Sequence, residues 1–220
     1  MLKIVVFDSG YGGEFFADYL QENLPIIEII RVIDWRNADL ILSKSRTARQ
    51  TAEAAIRPYI GRVDLVIFAN HLLTITSLKY FRHKYPTQKF LGLSLKSPDK
   101  SVKDILILTT KAVSKTINYY NFVRRIKQKT KTLTLDSWPA KIDDGELAKE
   151  EIFLTLNSSG IFRDHSSDII LACSQFNDIK AELQDYFYSN IKIYDSFEDT
   201  LLQTCKTLRI RGGTGKKRNK

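Results

Sequence analysis

With 220 residues, 43% of them hydrophobic, the chain is long enough to bury one substantial core or two small ones, and its balance of both charges excludes general disorder. No run approaches the roughly 20 apolar residues of a membrane span. The opening MLKIVVFDSG passes from strand to turn rather than into a cleavable signal, so the expected compartment is the cytoplasm, with no membrane partner.

The formal net charge of +9 would suggest nucleic acid, but the terminal RIRGGTGKKRNK holds six basic and no acidic residues, leaving 28 basic against 25 acidic elsewhere. Such a terminus reads as a solvated tail, so nucleic acid is not an expected partner. Cys173 and Cys205, the only two cysteines, fit neither a CxxC metal site nor a disulfide framework. Both are expected as reduced thiols, and zinc is not expected.

Short runs rich in Ile and Val alternate with amphipathic segments, the pattern of mainly parallel sheets covered by helices, so the fold class is α/β. In the first half the sequence predicts strands at Lys3–Phe7, Glu28–Ile33, Asp64–Ala69 and Phe90–Leu95, with helices at Glu14–Asn23, Thr47–Tyr59 and Leu73–Lys84. KSPDKSVKD, Lys96–Asp104, has no apolar continuity and places a domain junction near mid-chain. Beyond it come strands at Ile105–Thr109, Thr132–Asp136, Asp168–Cys173 and Ile191–Asp195. The matching helices are Ala112–Lys127, Gly145–Asn157, Asp178–Tyr188 and Phe197–Leu208. VDLVIFANHLLT and SDIILACSQFND repeat one unit, buried strand, polar turn, helix, and ligands of open α/β sheets collect at such carboxyl ends.

Two turns could carry chemistry. In FDSGYGGEF, the residues Gly10, Gly12 and Gly13 let backbone approach a ligand and present amides to an anion, although neither the dinucleotide fingerprint nor a P-loop is matched. Asp8, at the strand end, can orient an acid or base, or merely cap the turn. Cys173 is either a small buried hydrophobe or an exposed thiol at a helix N-terminus that favours thiolate. Cys205 lies in an apolar helix and reads as core.

FDSGYGG, VIDW, IFANHLLT, LGLSLKSP, ILTTKAVSKT, DDGEL, ILACSQF and IYDSFED resemble, in order, the landmarks of the glutamate racemase family, within the aspartate/glutamate racemase superfamily. The resemblance implies two similar three-layer α/β domains, residues 1–97 with the returning helix 197–208 and residues 98–196, ahead of a basic tail at 209–220. It also implies a cofactor-free active site in the cleft between them, a small-molecule amino-acid substrate and D-glutamate supply to peptidoglycan; a homodimer stays open.

That family uses two cysteines on opposite faces of the substrate α-carbon, one removing the proton and the other returning one. Here Cys173 keeps the second thiol, with Ala172, Ser174 and Gln175 around it, while Ala69 stands where the first would be. Gln175 also replaces a helper histidine and cannot transfer a proton at neutral pH. Asp8 and Ser9 match the paired residues beside the missing thiol, and Asn70, Thr110 and Ser174 match polar groups that hold substrate. The proline-tyrosine-glycine segment expected after Asp34 is absent. His71, two residues beyond Ala69, would project to the same side of an extended segment and stands either as a replacement base or as a structural hydrogen-bonding group. The resemblance therefore implies cofactor-independent racemisation or α-proton abstraction of glutamate or aspartate, weakened by the incomplete site. The alternative is an inactive homologue that binds a ligand or partner in a regulatory role.

Overall fold

The computed structural model describes residues 1–41, 45–94, 98, 103–161, 167–187 and 191–210. The chain divides into two compact units, Met1–Leu93 with the chain from Phe197 onward, and Ser94–Ser196. Most of the mid-chain segment KSPDKSVKD and the tail beyond Ile210 lie outside the described residues.

In the first unit β1 (Lys3–Asp8), β2 (Glu28–Ile33), β3 (Leu65–Phe68) and β4 (Phe90–Gly92) form one parallel sheet in the order β2-β1-β3-β4. Helices α1 (Tyr11–Asn23), α2 (Ala38–Ile41), α3 (Ser45–Ile56) and α4 (His71–Lys84) connect the strands. Residues 4–8 of β1 and all of β3 are buried, and alternate residues feed two cores, as a sheet covered on both faces requires. Ile4, Val6, Leu65 and Ile67 pack with α1 on one side; Val5, Phe7, Val66 and Phe68 pack with α3 and α4 on the other.

The second unit repeats the plan. Strands β5 (Ile105–Thr109), β6 (Thr130–Thr134), β7 (Asp168–Ala172) and β8 (Ile193–Tyr194) form a parallel sheet in the order β6-β5-β7-β8. Its helices are α5 (Lys111–Ser114), α6 (Ile117–Val123), α7 (Trp138–Asp143), α8 (Lys149–Ser158) and α9 (Lys180–Tyr186). The last helix, α10 (Ser196–Leu208), places Phe197, Leu201 and Cys205 in the core of the first unit beside Phe16 and Leu20. All eight expected strands are present.

Two helices and one strand differ from expectation. The helix expected over Ala112–Lys127 is two, because Thr116 caps α6 with its hydroxyl oxygen, accepting from Tyr119 N at 3.1 Å. Gly145 ends a helix rather than starting one: its φ of +69° is left-handed, and Gly145 N and Glu146 N donate back to Ile142 O and Lys141 O at the end of α7. Pro139 sits in the first turn of α7, where its missing N–H costs nothing. Strand β6 lies two residues earlier than expected, registered by Ile105 against Thr130.

Candidate functional site

Strand β1 delivers Asp8 to the carboxyl end of the first sheet with 1% of its surface exposed. One carboxylate oxygen, Oδ1, accepts from Ser9 N at 2.7 Å and from Asn70 Nδ2 at 2.9 Å. Asn70 ends the neighbouring strand region and caps α4, its Oδ1 accepting from Leu73 N at 2.9 Å. The one amide thus ties the Asp8 carboxylate to a helix start, and Asp8, Ser9 and Asn70 form a single cluster.

Gly13 of this turn has a use within the protein itself. None of Gly10, Gly12 and Gly13 has a positive φ, and Gly10 is an ordinary extended N-cap with φ −154°. A Cβ on Gly13 would lie 2.4 Å from Asp8 Cβ and 2.8 Å from Ile33 Cδ1. Gly13 therefore lets α1 close onto the Asp8 side chain; the close approach is to the protein's own carboxylate.

His71 is the first residue of α4, 3% exposed, and neither ring nitrogen has a hydrogen-bond partner among the described residues. Burial alone pulls its pKa down to about 4, so the ring is neutral at pH 7. The extended backbone ends at Asn70, with φ −126° and ψ 119°, so the two-residue alternation linking Ala69 to His71 does not hold: a helix begins between them. Ala69 is itself fully buried in the apolar core.

In the second unit β7 stops at Ala172, and Cys173 follows buried, with 8% of its surface exposed, so the thiol is not the exposed one expected as an alternative. The helix thought to sharpen its acidity is a single 3₁₀ turn, Gln175–Asn177, and the next α-helix starts only at Lys180. One turn carries too few aligned peptide dipoles to favour thiolate. Instead Cys173 Sγ donates to Gln175 Oε1 at 3.1 Å, and Ser174 Oγ donates to the same oxygen at 3.1 Å. Gln175 Nε2 in turn donates to Asp143 Oδ2, at the end of α7, at 3.4 Å. A carboxylate only accepts, so Asp143 fixes which end of the amide faces the sulfur. Thr110 follows β5 and Cys173 follows β7, whose last residues Thr109 and Ala172 are in register, and Thr109 Oγ1 donates to Ala172 O at 3.4 Å. Nothing local in the sequence links Asp143 to Gln175, 32 positions away, so its part in the site is visible only in the structure.

A shallow cavity of about 630 Å³ lies in the first unit beyond β2, lined by Val32, Ile33, Asp34, Asn37, Gln50 and Thr51 among others. Both Asp34 carboxylate oxygens accept from Asn37 Nδ2.

No family model matches the chain. A curated glutamate racemase of Aquifex aeolicus is 24% identical over 208 residues, which cover 90% of this chain and 80% of that protein. The structure of Escherichia coli glutamate racemase with L-glutamate and its activator superposes with TM-score 0.81 at 16% identity, covering 99% of this chain and 86% of that one. Campylobacter jejuni glutamate racemase gives 0.77 at 22% identity, covering 100% and 90%. The chain resembles the glutamate racemases and has their fold.

Proposed function

We propose that this chain is a glutamate-racemase-like protein that exchanges the α-proton of a dicarboxylic amino acid, glutamate or aspartate, using Cys173 and no cofactor. The observation that carries the reading is the Cys173–Gln175–Asp143 chain of hydrogen bonds at the end of β7. It holds a thiol in the polar carboxyl-end position where open α/β sheets place ligands. The Cys173 thiolate removes the α-proton, the resulting thiol exchanges its proton with solvent, and the same sulfur returns a proton to the carbanion on the same face, restoring the starting state. Asp8, Ser9, Asn70, Thr110 and Ser174 supply the polar groups that hold substrate. His71 is proposed as a neutral neighbour rather than the missing second base, because a base with a pKa of about 4 takes an α-proton poorly.

With one base, proton exchange outruns inversion. In D₂O, NMR of L-glutamate and L-aspartate is expected to show loss of the α-proton signal while the D-enantiomer accumulates at least about tenfold more slowly, since each missing acid–base group costs about 10²–10⁴-fold. Cys173→Ala abolishes the exchange, and His71→Ala leaves it unchanged. Inversion as fast as exchange would overturn the single-base mechanism.

The burial of Ala69 in hydrocarbon favours a second reading, a homologue that binds its ligand without turnover. Calorimetric binding of L- or D-glutamate with no exchange in D₂O selects it.

A further inference from the structure

The cavity beyond β2 carries one charge and no group to balance it. Asp34, just past the carboxyl end of β2, is the only ionisable residue on its lining, and no ion pair among the described residues involves it. Its two carboxylate oxygens accept from Asn37 Nδ2, a neutral donor, at 2.9 and 3.0 Å. A carboxylate only accepts, so this contact settles the Asn37 amide and turns its carbonyl oxygen away from Asp34 as a further acceptor. The Gln50 side-chain amide and the Thr51 hydroxyl, also on the lining, make no hydrogen bond among the described residues.

The protein's own contacts hold these groups in place. Asp34 N donates to Asp8 O at 2.9 Å and Asn37 N to Asp34 O at 3.2 Å, while the Trp35 ring between them lies against Tyr11 of α1, centroids 4.2 Å apart. The 3₁₀ turn Trp35–Asn37 is thus fastened to β1 and α1, and Trp35 itself does not line the cavity. Helix α3 divides its surface. Ala48, Ala52 and Ile56 enter the core, whereas Gln50, Thr51 and Ala54, spaced three and four residues apart, border the cavity. The short side chains of Ala54 and Ala55 leave its volume of about 630 Å³ open and, with Val32, give it an apolar lining.

We propose that this cavity binds an aliphatic primary amine. The ammonium meets the Asp34 carboxylate and donates its remaining protons to the carbonyl oxygens of Asn37 and Gln50, and the methylene chain lies on Val32, Ala54 and Ala55. An anion would meet only like charge, because no basic residue lines the cavity; Arg36, in the same turn, stays outside the lining. A polyol would pair with the amides and leave the carboxylate without a counter-charge.

Titrating the isotope-labelled full chain with the diamine cadaverine, followed by amide NMR, tests this, with pentanediol as the uncharged ligand of the same length. The diamine is expected to shift the side-chain amide signals of Asn37 and Gln50 saturably and to bind at least about tenfold more tightly than the diol, as a charge-assisted hydrogen bond implies. Asp34→Asn is expected to lose at least about tenfold in diamine affinity. Ala54→Leu, at an exposed position of α3, fills the space without touching the charge and is expected to lose at least about fivefold. Glu22→Gln, which removes an exposed carboxylate of α1, is expected to bind as wild type does. Equal affinity for diol and diamine, equal losses in Asp34→Asn and Glu22→Gln, or no saturation by about 20 mM diamine would overturn the proposal. Circular dichroism checks folding, and should Asp34→Asn unfold, Ala54→Leu with the diol comparison decides.

Discussion

His71 shows how burial changes a side chain's chemistry without touching its identity. The folded ring stays neutral down to about pH 4, whereas in the unfolded chain it titrates near 6.5. Between those values the unfolded state binds the extra proton, so this contribution to stability is complete above pH 6.5 and is lost as the pH falls toward 4. The full shift is worth about 3 kcal/mol. Replacing the ring in His71→Leu should shrink the difference in urea-unfolding free energy between about pH 7.5 and 4.5 by about 2–3 kcal/mol; an unchanged difference would assign the titration to other groups. Cys173 is the same lesson at another residue. The sequence places the thiol at a strand end, but only the distant Asp143 and the adjacent Gln175 show that it is held as a donor.

Among the elements, α1 depends on Gly13 for its distance from β1 and β2. A methyl group there would overlap the Asp8 Cβ at 2.4 Å, an approach that no side-chain rotation relieves because Cβ is fixed by backbone. Gly13→Ala is expected to lower stability by about 1–3 kcal/mol, read from the urea midpoint, and to disturb the Asp8–Asn70 bond. A neutral substitution would show that α1 moves away freely. The elements most visible in the sequence were the strands, because eight short apolar runs bounded by polar turns admit little else. Helix ends were less visible. Thr116 and Gly145 decide them through a hydroxyl oxygen and a left-handed backbone, single-residue features that an apolar pattern averages over.

At the scale of the whole molecule, α10 brings the end of the chain into the first unit. Phe197 is 6% exposed, with its ring 4.9 Å from that of Phe16 and 5.7 Å from that of Tyr19. Truncating a buried aromatic costs about 3–5 kcal/mol, so Phe197→Ala should sharply accelerate hydrogen exchange at β1 amides, more than 100 residues away in sequence. Protected β1 amides in that variant would mean that α10 contributes little to this core. The sequence by itself determined the α/β class, the parallel strands and the residue types at the strand ends. Periodicity and turn chemistry are local, and each strand buries its own apolar run wherever its neighbours lie. Only the tertiary structure decided that Gly13 serves Asp8, that His71 is sealed from solvent, and that Gln175 is oriented by Asp143. Each of those facts is a distance between residues that the chain order leaves unrelated, and packing alone sets it.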